Sequence, residues 1–272
     1  MSNLKKLLIV VPYRDRKKHL DIFLKHIKDF FIKDSINNIL EIKIIIIEQS
    51  EKKKFNLGAI NNIGFLLEEN YLDYICINNV DFLPVNADYS YSDAPTSLIS
   101  QGFDNHPFDP ENDDPNLRNW ALNQPKQPFH GSVFIPKEIF RKVNGYSNRY
   151  WGWGFEDLDM KMRLDINNIL INYRMGVYIP LFHKNLGLSL EKIYSEKFKS
   201  FEVKIIPTFD FEKNEKIFKE FWFNQKNDKD LKKDGYNQTQ YKILEKEIYF
   251  NIMLNNKNFS CQRIKVEILN NE

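Results

Sequence analysis

Between positions 151 and 159 the chain reads WGWGFEDLD, two tryptophans, two glycines and three carboxylates in nine residues. Alternating the bulkiest side chain with none makes a poor strand and a poor helix, so chemistry explains the segment better than core packing. Glu156 and Asp157 fall in the first turn of a helix expected over about 156–167, with Leu158, Met162 and Ile166 as its buried stripe. Acids are common in a first turn because they complement the helix dipole, which also favours their ionised form. An ionised carboxylate is what a general base needs to take a proton from a sugar hydroxyl. Trp151 and Trp153 offer flat apolar faces to a sugar ring, and Gly152 and Gly154 allow close approach or movement. Burial of both rings as ordinary core is the alternative.

Two further residues suit a metal. Asp81, in NVDFLP, closes an apolar strand, where a carboxylate can hold a hard divalent cation that also binds a diphosphate. The same aspartate could equally form a turn. His183, in IPLFHKN, ends a later strand, and borderline metals such as Mn²⁺ accept mixed oxygen and nitrogen ligands. A histidine hydrogen-bonded at a strand end is the competing explanation. Arg14 and Arg16 follow the first strand, and their forked guanidinium groups match phosphate oxygens, or are plain surface charges.

These residues need a scaffold, and the first half of the sequence supplies one. Strands are expected at 5–13, 41–49 and 74–84, with helices at 16–31 and 57–69 between them. In the first helix Leu20, Phe23, Leu24, Ile27 and Phe31 share one face. This is a βαβαβ unit with a parallel sheet, whose ligand site lies beyond the carboxyl ends of its strands. Residues 86–129 hold six of the eleven prolines and form a long surface excursion. A strand and a short helix closed by Gly145 follow, then the tryptophan segment, its helix, and a strand over 173–183. The lysine- and asparagine-rich last quarter keeps an aromatic periodicity in Phe218, Phe221 and Trp222, so it is folded.

Composition narrows the class. With 272 residues and 42% hydrophobic content the chain fills a real core. Its apolar blocks, such as Ile44 to Ile47, are far short of the ~20 residues of a membrane span. The early run LLIVV breaks at Pro12 and the charges after it, as a strand does and a signal peptide does not. A formal charge of +2 is too balanced for a protein that coats nucleic acid. Lysine clusters such as Lys52 to Lys54 read as solvated faces, with weak attraction to an anionic membrane surface. Two cysteines make no disulfide framework, which suits a reducing cytoplasm.

The motifs together resemble a known family, the metal-dependent β-1,4-galactosyltransferases with the related N-acetylgalactosaminyl and xylose-specific enzymes. The resemblance runs in order through VPYRDR, FNLGAINNIGF, NVDFLP, KVNGYSNRYWGWGFEDLDMKMRL and DGYNQTQYKIL. It implies the α/β GT-A fold: a single domain with a Rossmann-like nucleotide-binding half, a mostly parallel mixed central sheet and a C-terminal extension. The expected parts are a nucleotide-binding segment 1–85, the excursion 86–129, an acceptor and catalytic segment 130–200, and a packing segment 201–272. The activity implied is inverting transfer from a UDP-sugar by single displacement, with Mn²⁺ on the diphosphate.

By the same resemblance Asp157 is the base, and Asp81 and His183 ligate the metal. Trp153, Glu156 and Asp159 meet the acceptor, with Trp151 and Gly154 completing that side. Pro12, Tyr13, Arg14, Arg16, Phe55, Asn79, Asp81 and Trp153 meet the donor. The chain departs from the family pattern at Asn79, Leu57 and Phe155, which replace an acid, an arginine and a glycine, and at Pro180, near a further metal ligand of the animal enzymes. Pro128 lies close to a position that helps separate galactose from N-acetylgalactosamine. The expected acceptor is a saccharide or glycolipid of a bacterial surface glycan, lipooligosaccharide or capsule. The enzyme is then cytoplasmic, with at most peripheral contact with the inner membrane and no obligate protein partner. The rival expectation is a sugar-binding relic that no longer turns over, motivated by Asn79 and Leu57.

Overall fold

Lys6–Tyr13 (β1) is apolar on both faces and buried from Leu7 onward, as a strand covered on two sides must be. It leads into α1 (Lys17–Phe30), whose Leu20, Phe23 and Ile27 turn to the core. Then come β2 (Glu41–Gln49), α2 (Leu57–Glu68) and β3 (Tyr74–Asn78). β1 pairs in parallel with both β2 and β3, so the expected βαβαβ unit is present. Asn56 starts α2 by accepting the Ala59 amide at 2.8 Å, a side-chain cap of the usual kind. The structure is a computed structural model describing residues 4–35, 39–50, 52–99, 101–102, 129–181, 188–195, 200–224 and 231–272.

The strand expected over 74–84 is two strands. β3 ends at Asn78, the chain turns, and β4 (Phe82–Asn86) joins a separate small sheet. Asn78 makes the break: its side-chain amide donates to the carbonyls of Asn79 (2.9 Å) and Phe82 (3.0 Å), closing a turn that puts Asp81 at its edge.

The rest of the chain adds β5 (Thr96–Ser97), β6 (Gln101–Gly102), β7 (Ser132–Pro136), α3 (Lys137–Lys142) and α4 (Glu156–Ile166). After these come β8 (Asn172–Tyr173), β9 (Val177–Pro180), β10 (Leu188–Ser195), β11 (Ser200–Pro207), α5 (Phe209–Lys219), β12 (Tyr241–Leu254) and β13 (Lys257–Ile268). The single strand expected over 173–183 is thus the separate β8 and β9 within the described residues. The main sheet runs β12-β13-β2-β1-β3-β7-β5-β8 and is mixed, with β7 antiparallel to β3.

The C-terminal quarter does more than pack. β13 docks in parallel on β2, and Arg263 bonds Glu48 of β2 and Glu245 and Glu247 of β12, so the hairpin extends the sheet. One core layer lies under α1 and the other under α2, α3 and α4. On that second side a Cβ at Gly64 would sit 2.4 Å from Val10 Cγ2, so α2 rides directly on β1. Gly64→Ala is expected to force the helix away and destabilise by about 1–3 kcal/mol, read as a lowered midpoint in denaturant unfolding.

Candidate active site

The donor-side residues gather at the carboxyl ends of the parallel strands. Pro12 is buried in β1 and Tyr13 closes it. Arg14 donates to the Lys53 carbonyl at 2.7 Å, and its guanidinium lies 5.3 Å from the Phe55 ring centroid. Phe55 in turn accepts the Gly152 amide at 2.7 Å through its carbonyl, so this cluster is tied directly to the tryptophan segment. Arg16 Nη1 donates to Asp81 Oδ2 at 3.1 Å. Asn79 donates its amide to the Gly131 carbonyl at 2.7 Å, which fixes the turn before Asp81 against the entry to β7.

Asp81 is 8% exposed, and its charge is balanced by Arg16. Its carbonyl accepts the Leu181 amide at 2.7 Å, two positions ahead of His183 in sequence. His183 lies outside the described residues, as does Pro128. Among the described residues no group of three histidine, cysteine or acidic side chains forms a metal cage. A single oriented carboxylate at the rim of a sheet suits a divalent ion that takes its other ligands from a diphosphate and from a nearby imidazole.

The tryptophan segment is a turn clamped from outside. Gly152 and Gly154 have φ of +85° and +99°, and a Cβ on Gly152 would sit 2.5 Å from Asp210 Oδ2. Asp210 is itself bonded to Lys54 at 2.5 Å. One residue of α5, the buried Asn214, donates to the carbonyls of Trp151, Trp153 and Gly154 at 3.1, 3.2 and 3.3 Å. Phe211 stacks on Trp153, with centroids 5.6 Å apart and planes at 29°. The expectation that both tryptophans face a sugar is corrected: Trp151 is 2% exposed and belongs to the core beside α2, while Trp153 is half-buried and keeps an open face. Phe155 occupies φ +75°, where a glycine costs nothing and a side chain costs about 1–2 kcal/mol. Packing on Phe211 and Phe218, at 4.9 and 5.3 Å, offsets it.

α4 begins at Glu156 as expected, but its buried face differs. Leu158 and Ile166 are 42% and 43% exposed, and the enclosed residues are Asp159, Met160, Arg163 and Leu164. The exposed apolar pair misled the periodicity because a buried ion pair took its place. Asp159 accepts from Tyr150 Oη (2.9 Å), Trp222 Nε1 (2.8 Å) and Arg163 Nε (2.5 Å). With no exposed surface, Asp159 positions the helix and has no face toward an acceptor, a second correction.

Glu156 and Asp157 stay half-buried at the helix start. The dipole was expected to keep them ionised; burial outweighs it. Loss of hydration pushes Glu156 up to about 6. It pushes Asp157 well above the usual carboxylate range, with the neighbouring Glu156 charge adding to the effect. The buried Tyr146 hydroxyl, without a hydrogen-bond partner among the described residues, lies within the field of both carboxylates. Sequence reasoning missed Asn214, Asp210 and Phe211. It flagged Asp234 and Trp222 only through the DGYNQT motif and the aromatic spacing.

A parallel βαβαβ half with an aspartate at the turn after its third strand, joined to a helix that opens on two carboxylates, is the architecture of a GT-A glycosyltransferase fold. Solved structures agree. A mutant Drosophila β-1,4-galactosyltransferase 7 in complex with manganese, UDP-Gal and xylobiose superposes with TM-score 0.64 at 20% identity, over 98% of this chain and 96% of that one. The catalytic domain of the Drosophila enzyme with xylobiose gives 0.61 at 19%, over the same shares.

Residues 2–93 match the N-terminal region of glycosyl transferase group 7, and residues 116–184 match the N-terminal domain of galactosyltransferase. These matches together cover more than half of the chain, which belongs to this glycosyltransferase family. Among curated relatives, β-1,4-galactosyltransferase 4 of Cricetulus griseus is 33% identical over 182 residues, 64% of this chain and 48% of the relative. Human β-1,4-galactosyltransferase 7 is 32% identical over 162 residues, 58% of this chain and 43% of the relative. The chain spans about half the length of the curated relatives it matches.

Two outcomes follow from the site's packing. Because Glu156 and Asp157 bind protons more tightly folded than unfolded, metal-free stability should fall with rising pH, for Glu156 from 4.5 through about 6 and for Asp157 from 3.8 upward. Asp157→Asn should flatten that fall and raise the melting temperature at pH 7, as thermal unfolding across pH would read. Asn214→Ala should destabilise by about 1–3 kcal/mol and speed amide hydrogen exchange at 151–155.

Proposed function

We propose that this chain is an inverting, Mn²⁺-dependent glycosyltransferase that moves galactose from UDP-galactose to a saccharide hydroxyl. The observation that carries the reading is the hydrogen bond from Gly152 to Phe55. Through it the cluster read as binding the nucleotide is continuous with the turn that opens onto Glu156 and Asp157. The galactosyl donor is supported by the relatives, which are galactosyltransferases by name. A transferred N-acetylhexosamine is the variant of this reading left to experiment.

In this mechanism Arg14 and Phe55 receive the uridine nucleotide, and Arg16 can exchange Asp81 for a diphosphate oxygen. Asp81 and His183 would hold Mn²⁺, which supplies neutralisation of the charge that builds on the departing UDP. Trp153, resting on Phe211, presents its open face to the sugars. Asp157 takes the proton of the attacking acceptor hydroxyl as the new bond to the anomeric carbon forms and the bond to UDP breaks on the opposite side. A base with a raised pKa is intrinsically stronger, yet it works only once ionised, so turnover rises with pH across its titration.

The acceptor in this reading is a saccharide or glycolipid of a bacterial surface glycan, elongated in the cytoplasm or at the inner face of the membrane. Two buried free thiols, Cys76 and Cys261, support a reducing compartment. Among the described residues no helix is long and apolar enough to cross a membrane.

The test is UDP release with Mn²⁺, UDP-sugars and simple saccharide acceptors. Asp157→Asn should lose at least about a hundredfold in turnover while binding UDP and Mn²⁺ within about threefold of the native protein. A fully active variant would remove Asp157 from the role of base. Glycan binding without any metal-linked binding of UDP would favour the relic instead.

A further inference from the structure

β12 is the outermost strand of the main sheet. Its fourteen residues pair on one side with β13 and, among the described residues, meet no strand on the other. Native sheets rarely leave such an edge, because its unpaired N–H and C=O groups are a template for another strand; they shorten it, interrupt it with proline or cover it. β12 is long and has no proline, and Lys242 to Ile248 are exposed without a break. Its acids guard it poorly, since Glu245 and Glu247 are both bonded to Arg263 of β13.

One face of this edge carries an apolar stripe. Ile243, Lys246, Ile248, Asn251 and Met253 lie opposite alternate residues of β13, from Val266 to Asn258, and so point the same way. Ile248 and Met253 are 73% and 67% exposed, and Ile243 is 37% exposed. Bulges ordinarily spoil an edge by twisting it, but here one irregularity falls on each side of Ile248, at Leu244 and at Tyr249. Five residues of each arm, 242–247 and 249–254, therefore stay in register with β13, and the two arms match in length.

That symmetry points to the occupant. Adjacent antiparallel strands of one sequence are related by a two-fold axis normal to the sheet, which sets one residue against its own copy. With Ile248 on the axis, Ile243 faces Met253 of the second copy, Lys246 faces Asn251 and Glu247 faces Phe250. Apolar residues meet and no like charges do, which is what stabilises a cross-strand pairing. An axis at Glu245, Lys246 or Glu247 would instead set a charge against itself. The opposite edge of the sheet is β8, whose two residues are too short to take a strand, so pairing at β12 closes at two copies.

We propose that two copies of this chain pair through β12, antiparallel about Ile248, into a dimer with one continuous sheet. The inference is independent of the donor reading, and its test needs no substrate. Sedimentation equilibrium of the native protein should give twice the chain mass at about 50 µM, and Ile248→Lys should raise the dissociation constant at least about tenfold. Ile248 is largely exposed, so the melting temperature of the dilute variant should match that of the dilute native protein. Mild oxidation of Ile248→Cys should link two chains, because directly opposite residues have Cα atoms about 4.5–5.5 Å apart, within reach of a disulfide. Lys246→Cys, set against Asn251, should not link, and neither should the native protein, whose two cysteines are buried. A native protein that is monomeric at that concentration would overturn the proposal. So would a dimer that Ile248→Lys leaves unchanged, or one in which Lys246→Cys links as readily as Ile248→Cys.

Discussion

The buried pair of Asp159 and Arg163 governs the geometry of everything around it. Both side chains are wholly enclosed, and such a pair is tolerated only when its remaining polar atoms are bonded. Here the bonds come from separate stretches of chain. Tyr150 and Trp222 donate to Asp159, while Arg163 donates to the carbonyls of Val143, Gly145 and Asp234 and to the Asp234 carboxylate. Asp234 also binds Arg149 and Ser147, so the strand-helix unit, the tryptophan turn and the C-terminal segment meet at one network. Residues two apart on a helix point about 200° from each other. Locking Asp159 inward therefore rotates Asp157 outward.

A second set of contacts fixes the turn just before that helix. Asn214, from the far side of the sequence, holds three carbonyls of the tryptophan turn, and Asp210 fills the space left by the missing side chain of Gly152. The turn carries left-handed backbone at Gly152, Gly154 and Phe155 in close succession. Such backbone persists when its surroundings over-determine it. α5 supplies that on one side, and the Gly152 to Phe55 hydrogen bond supplies it on the other. The segment is thereby a link between the Arg14 and Phe55 cluster and the carboxylates, rather than a free loop.

The price of that link is visible in the acids themselves. Two adjacent carboxylates held half-buried at a helix start repel each other and lose hydration, and the stabilising dipole does not compensate. A protein selected only for stability would replace one of them, whereas perturbed titration of this kind gathers at sites where protons are moved. Asp81 contrasts with them, because Arg16 balances its charge across the rim of the sheet.

Much of this was legible in the residues alone. The βαβαβ half followed from apolar runs and helical spacing at β1, α1, β2 and α2, since local periodicity reports which faces must be covered. The start of α4 and the closure at Gly145, with φ +62°, were likewise local features. Tertiary structure alone decided the split of 74–84 at Asn78, the docking of β13 on β2, and the clamp by Asn214. It also decided that Trp151 and Asp159 are buried while Leu158 is exposed, and that burial rather than the helix dipole sets the charge of Asp157. The physical reason is the same in each case: spacing along the chain fixes which residues share a face, but hydration, charge and hydrogen-bond partners come from segments that are remote in sequence and adjacent only after folding.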